Sequence, residues 1–343
     1  MIESLARISL IEVSLIEVSE TTLGPVRALA LLIRGESVAY PLRMFIPGMG
    51  YFVTARCCQA RYLMRPSRET NEVLGGVLAR AARMMDVEIF AFSFQSNHLH
   101  LLVRAPRGNL SKFMQFVMAN VARKVGWLVR WRGTFWERRY SAEPVLDDEA
   151  LVERLRYILS QGVKDGLVRR CRDWPGLSSL RMLVRGSRRT FLWFGWSKRW
   201  TARADRASTD RFHPRWAERE VLQLTALPCW SQLPQKRRAR RVLELVRSAE
   251  REAEGAHERV LGRAGILAQH PHHRPSRPER SPRPYCHATT ASVRRAFIDH
   301  YRTFVASFRS ASLRWRHGEL AAPFPPGAVK PFLWPPIVPV LAA

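Results

Sequence analysis

The sequence predicts an α+β fold: an antiparallel sheet sandwiched with helices, followed by a basic, mainly helical C-terminal region. Three observations predict it. Short β-branched and aromatic runs alternate with apolar stripes of helical spacing between residues 40 and 174. Their order, β-α-β-β-α-β-α, suggests an antiparallel sheet with helices on one face or both. Of the 56 Lys and Arg residues, 31 fall after residue 174, where basic helical patterns dominate.

Residues 1–39 differ from the rest and carry a tandem repeat, LIEVS at 10–14 and again at 15–19. They read as an appendage or as upstream sequence included by a wrong start, with a small hairpin as the structural alternative. Residues 51–57 (YFVTARC) read as a strand. Residues 67–85 read as a helix, with Ser67 as its cap and a stripe through Val73, Leu74, Val77, Leu78 and Ala81. Residues 87–94 and 99–103 read as strands around a tight turn at 95–97, and 110–131 as a helix. Residues 134–145 read as a strand, and 147–161 as a helix capped by Asp147 and stopped by Gly162.

Beyond residue 180 the text divides into a basic, Trp-rich helical region (181–269), a Pro/Arg-rich linker (270–290), and a C-terminal helix with a Pro-rich tail (291–343). Trp193 and Trp196 interleave with Arg188, Arg189, Lys198 and Arg199, and Lys236, Arg237 and Arg238 open a basic helix. Such a mixture suits phosphate contacts and base stacking.

The net charge of +27 points to a polyanionic partner, most often nucleic acid. Five cysteines at irregular spacing, with no CxxC, suggest neither a disulfide framework nor a zinc knuckle and fit a reducing cytoplasm. The acidic first twenty residues are wrong for a signal peptide, and the apolar runs are too short to span a bilayer, so no membrane partner is expected.

Two constellations carry chemistry. In Asn97-His98-Leu99-His100-Leu101-Leu102-Val103, strand alternation points His98 and His100 to one face, where two imidazoles make half a metal site. An HxH alone is weak. The chain holds a second at His270-Pro271-His272, discounted as solvated, and the first could be two half-buried histidines with local hydrogen bonds. The other constellation is Tyr157 and Gln161, neighbours at i and i+4 and roughly opposite the stripe of Leu151, Leu155, Ile158 and Leu159. Of the seven tyrosines, only Tyr157 has a plausible metal-ligand side chain four residues on; it could instead pack under another element or lie at the surface.

Together these residues suit phosphodiester chemistry. A divalent Mg²⁺ or Mn²⁺ neutralises a nonbridging oxygen and accepts mixed nitrogen and oxygen ligands. A phenolate attacks phosphorus and leaves a covalent phosphotyrosine. Nearby cations must activate it, and Arg154 and Arg156 on the same helix are candidates.

The strand NHLHLLV resembles the HUH signature of the single-tyrosine transposases of insertion sequences. The segment from Leu155 through Tyr157 and Gln161 to Leu167 resembles the tyrosine helix of transposases associated with repetitive extragenic palindromes, whose usual text is YIxxNPVxAGLV. The runs from Pro41 to Thr54 and Asp173-Trp-Pro match the opening and closing phrases, so the resemblance covers about residues 41–180. It implies a ferredoxin-like HUH endonuclease core over residues 40–180. It further implies cleavage and rejoining of hairpin-bearing single-stranded DNA by a monomer or homodimer, in the cytoplasm at the nucleoid. His98, His100 and Gln161 take the metal-ligand roles and Tyr157 the nucleophile's. The family's Asn-Pro is here Gln161-Gly162, and Gln is the ligand in insertion-sequence members. The alternative is a domesticated, catalytically inactive nucleic-acid-binding regulator; an unrelated HxH metalloenzyme lacks a nearby third His or acidic ligand.

Overall fold

Ser67 and Asp147 show how closely local chemistry sets the frame. In the computed structural model, Ser67 Oγ accepts from Thr70 N at 3.0 Å and starts α1 (Arg68–Met85); Asp147 Oδ1 accepts from Ala150 N at 2.8 Å and starts α3 (Asp148–Lys164). Each satisfies a backbone donor that the first helical turn leaves open. The structure describes residues 41–197, 212, 214–276 and 284–330. The chain divides into two units, Met1–Leu42 and Arg43–Ala343; the sheet, its helices and the histidine and tyrosine motifs all belong to the second. The repeat-bearing residues 1–39 lie outside the described residues.

Four strands form one sheet: β1 (Gly50–Arg56), β2 (Glu88–Phe94), β3 (His98–Arg104) and β4 (Ser141–Val145), in the order β2-β3-β1-β4 and antiparallel throughout. One face, with Tyr51, Val53, Leu99, Leu101 and Val103, packs on α1 and α2 (Leu110–Leu128) through Leu74, Leu78, Phe113 and Val117. The other, with Phe52, Phe90 and Leu102, packs on Leu155 and Ile158 of α3. The sheet is thus sandwiched between helices, as its alternating pattern requires.

The strand expected over 134–145 is only Ser141–Val145; ahead of it, Trp136 makes a single bridge to Cys57 and donates its indole N–H to Met118 O at 2.9 Å. α3 runs past Gly162 to Lys164. Glycine there admits close packing, since a Cβ would meet Val168 at 3.0 Å and Trp174 at 3.5 Å.

After α4 (Leu180–Arg185), the region read as helical also holds a two-stranded ribbon, β5 (Arg189–Phe194) with β6 (Ala217–Leu222). It lies against α1, where Gly75 and Gly76 let Phe191 and the Leu192 backbone approach. α5 (Gln235–Ala253) buries Val242 and Val246 in the α3 cluster; α6 (Gly262–Ala268) and α7 (Ala291–Arg316) follow. The end of the Pro/Arg-rich linker is tied to the sheet: His287 N donates to Pro144 O and Leu146 N to His287 O, each at 2.9 Å, beside β4. Among the described residues, no helix is long and apolar enough to cross a membrane.

Candidate active site

β3 presents His98 and His100 on the α3 face, while Leu99, Leu101 and Val103 fill the opposite core. The two imidazoles lie 4.7 Å apart, centroid to centroid. His98 is half-buried and its Nδ1 is 2.6 Å from Asn97 Oδ1. Desolvation, reinforced by the charge of Arg56, lowers its pKa to about 4. His100 is 5% exposed, and burial followed by the neighbouring His98 and the Lys164 and Arg154 charges holds it well below the ordinary imidazole range. Both rings are therefore neutral near pH 7, the ligand form.

Tyr157 and Gln161 turn towards this pair. The helix wheel set them opposite the apolar stripe, but the sheet covers that side, and Gln161 is only 3% exposed. α3 is buried on two sides, by the sheet and by α5, so a single stripe does not describe it. The Tyr157 ring lies 5.4 Å from His100 and 5.6 Å from Phe52, both edge-on. Gln161 Nε2 donates to Tyr157 O at 3.0 Å, and its amide approaches both imidazoles. No aligned hydrogen bond reaches His100, whose Nδ1 and Nε2 are buried without a partner.

A buried unpartnered imidazole is costly. Two neutral imidazoles and one carboxamide fit a divalent ion that keeps sites open for phosphate and water. Among the described residues no three His, Cys, Asp or Glu come together, and the Gln161 carboxamide is the polar side chain of α3 that approaches both imidazoles.

Two cations frame the phenol. The Arg154 guanidinium lies 5.0 Å from the Tyr157 ring centroid and Lys164 Nζ 4.7 Å from it. Arg156 does not join them, because it pairs with Glu252 on α5. Lys164 escaped the sequence reading, although its i+7 spacing from Tyr157 marks the same helix face. Also missed were Glu143 and His287. Their side chains pair at 2.9 Å, Ser141 Oγ donates to the carboxylate at 2.8 Å, and the His287 ring meets the edge of Phe52 at 5.4 Å. Phe52 stacks on His100 at 5.4 Å, so the pair adjoins the site. The 144-residue separation of the pair leaves no local signal.

The residues read as a DNA grip fare unevenly. Trp193 is 9% exposed, stacked on Phe116 and capped by Lys124 Nζ at 4.2 Å, so it is a core residue and not an open stacking platform. Trp196 packs against Trp127 and Phe212. Arg188 and Arg189 are exposed, Arg189 lying over Phe191 at 4.6 Å. Lys236 and Arg237 are exposed, while Arg238 is half-buried. Lys198 and Arg199 lie outside the described residues. The second HxH is not simply solvated: His272 Nε2 donates to Val129 O at 2.7 Å and its ring packs edge-on against Trp131.

Known proteins share this stretch of chain. The family model of IS200-like transposases matches residues 52–161, from Phe52 to Gln161. No curated protein matches the chain. Among solved structures, a REP-associated tyrosine transposase bound to a REP hairpin is 21% identical, with 43% of this chain and 87% of that chain covered and a TM-score of 0.38. A protein of Deinococcus radiodurans R1 with a provisional transposase name is 18% identical, with 36% and 98% covered and a TM-score of 0.26.

Proposed function

We propose that this chain, whose residues 52–161 match the IS200-like transposases, cleaves and rejoins single-stranded DNA through a tyrosine intermediate. Tyr157 Oη attacks a backbone phosphorus as the phenolate. The Oη–P bond forms, the P–O3′ bond breaks, and the 3′ oxygen leaves and takes up a proton. The 5′-phosphotyrosine keeps the bond energy, so a 3′-hydroxyl can reverse the step and transfer the strand. Arg154 and Lys164 stabilise the phenolate and the charge that develops on the phosphate. His98, His100 and Gln161 are the residues that would hold Mg²⁺ or Mn²⁺, which neutralises a nonbridging oxygen and polarises phosphorus.

The observation that carries this reading is the pair of orphaned ring nitrogens on His100, with the Tyr157 ring 5.4 Å away in the same chain. A hairpin-bearing single strand is the substrate we propose, on the motif resemblance of the tyrosine helix. The test is incubation of such DNA with Mn²⁺, followed by a denaturing gel. Wild type should give a covalent protein–DNA band; Tyr157→Phe should give none while binding the same DNA. A band from Tyr157→Phe removes Tyr157 as nucleophile. Binding without any wild-type band favours the inactive regulatory protein.

A further inference from the structure

A cavity of about 290 Å³ lies between the end of α3, the loop after it and the end of α5, and its lining includes none of His98, His100, Tyr157 and Gln161. Arg169 and Arg170 come from the loop, Arg247 and Arg251 from α5, and His257 from the segment beyond. Arg247 and Arg251 stand one turn apart on one helix face, where like charges repel. Two carboxylates, Glu250 and Glu254, also line the space. Glu250 is occupied: it accepts from Cys171 N at 2.8 Å and pairs with Arg170 at 3.4 Å. Arg169, Arg247 and Arg251 enter no salt bridge among the described residues. Val163 and Val168 supply an apolar wall, and His257 Nε2 donates to Lys164 O at 2.9 Å, tying the segment to α3.

Four guanidiniums against two carboxylates leave a concave site with two uncompensated positive charges. Guanidinium forks match the oxygens of a phosphate group in both geometry and charge. The cavity is far larger than one water, whose share of liquid volume is about 30 Å³, and leaves room for the groups a phosphate carries.

We propose that this cavity is a phosphate-binding pocket that holds backbone phosphates of the DNA strand at a point separate from the cleavage site. That the phosphate belongs to DNA rests on the proposed function; that the pocket takes phosphate does not. Gripping the strand just beyond the C-terminal end of the tyrosine helix would fix its register before cleavage.

The test compares wild type, an Arg247→Gln/Arg251→Gln double variant, and an Arg309→Gln/Arg316→Gln control that removes the same charge from exposed positions on α7. Unfolding midpoints establish that all three fold. A labelled single-stranded oligonucleotide is titrated across a salt series, and inorganic phosphate is titrated by calorimetry. The pocket variant should bind the oligonucleotide about tenfold or more weakly, with the salt slope reduced by about 1.4 for two lost single-strand contacts, while the control stays within about twofold of wild type. Loss of inorganic phosphate binding with unchanged DNA affinity still supports the pocket and assigns it to free phosphate. If the double variant binds both probes as wild type does, or if the control loses as much, the pocket is refuted. Because both readouts are binding, a failure of covalent adduct formation would leave this result standing.

Discussion

Gly76→Ala is the substitution whose sign separates two physical effects. In an ordinary helix interior, Gly→Ala gains about 1 kcal/mol from backbone entropy and propensity. At this position a Cβ would stand 2.1 Å from Leu192 O and 2.8 Å from Leu192 C, both backbone atoms of β5. No side-chain rotation relieves that, so helix and ribbon must part by on the order of 1 Å in a close-packed interior. β5 carries the buried Phe191 and Trp193, whose packing on α1 and α2 is lost with the shift. Overpacking costs about 1–3 kcal/mol, and a backbone clash belongs at the upper end. The expected net effect is a destabilisation of about 1–2 kcal/mol, or a fall in Tm of roughly 1–3 °C for a chain of this size. Gly126→Ala on α2 is the control, since its Cβ would meet Phe135 at an ordinary 3.6 Å and the propensity gain should survive. Thermal and urea unfolding of both variants checks the reasoning. If Gly76→Ala is stabilised as Gly126→Ala is, the helix and ribbon backbones do not touch.

Lys164→Gln should slow adduct formation by about tenfold while DNA affinity falls less than twofold, and Lys164→Arg should retain most of the rate; an unchanged rate in the Gln variant excludes Lys164 from the phenolate's surroundings. Glu220 gives a pH test. Arg83, with Arg80, holds this 3%-exposed carboxyl below the usual carboxylate range, so its stabilisation is fully present above the unfolded value and lost as pH falls through the folded one. The urea-midpoint gap between wild type and Glu220→Gln should therefore narrow between neutral pH and about pH 3, and a widening gap contradicts the sign. Mn²⁺ should raise wild-type stability, by about 2.7 kcal/mol at a hundred times its Kd, and not that of His98→Ala/His100→Ala; an equal shift in both places the ion elsewhere.

Legibility in the sequence was a matter of range. Helices with one buried face and clear caps, and strands with strict alternation, declare themselves within a dozen residues. Ser67, Asp147 and the His98/His100 alternation were of that kind. The ribbon was hidden because Phe191, Leu192 and Trp193 sit in a basic, aromatic text that equally suits a nucleic-acid surface. What buries them is α1 together with α2, more than sixty residues upstream. A local trace existed: Gly75-Gly76 in the middle of a helix costs propensity unless a backbone must come close. Tyr157 and Gln161 were legible as helical neighbours away from their helix's own apolar stripe, but that the sheet covers that side was not, because a helix covered on two sides has no single polar face.

Phe52 explains why the site needs more of the chain than its two motifs. Its ring stacks on His100, meets Tyr157 and His287 edge-on, and lies 5.6 Å from the Arg154 guanidinium. Aromatic pairs at such distances add roughly 0.5–1.5 kcal/mol each beyond burial, enough to restrict the rotamers of both chemistry-bearing rings. Phe52 is held in turn from beyond the sheet edge, where His287 contacts its edge and is itself fixed by Glu143 and by backbone bonds to Pro144 and Leu146. His287 belongs to the strip after residue 283, so the geometry of His100 and Tyr157 depends on sequence more than a hundred residues past Gln161. A domain cut at residue 180 would keep His98, His100, Tyr157 and Gln161 and lose the contact that steadies the ring beside them.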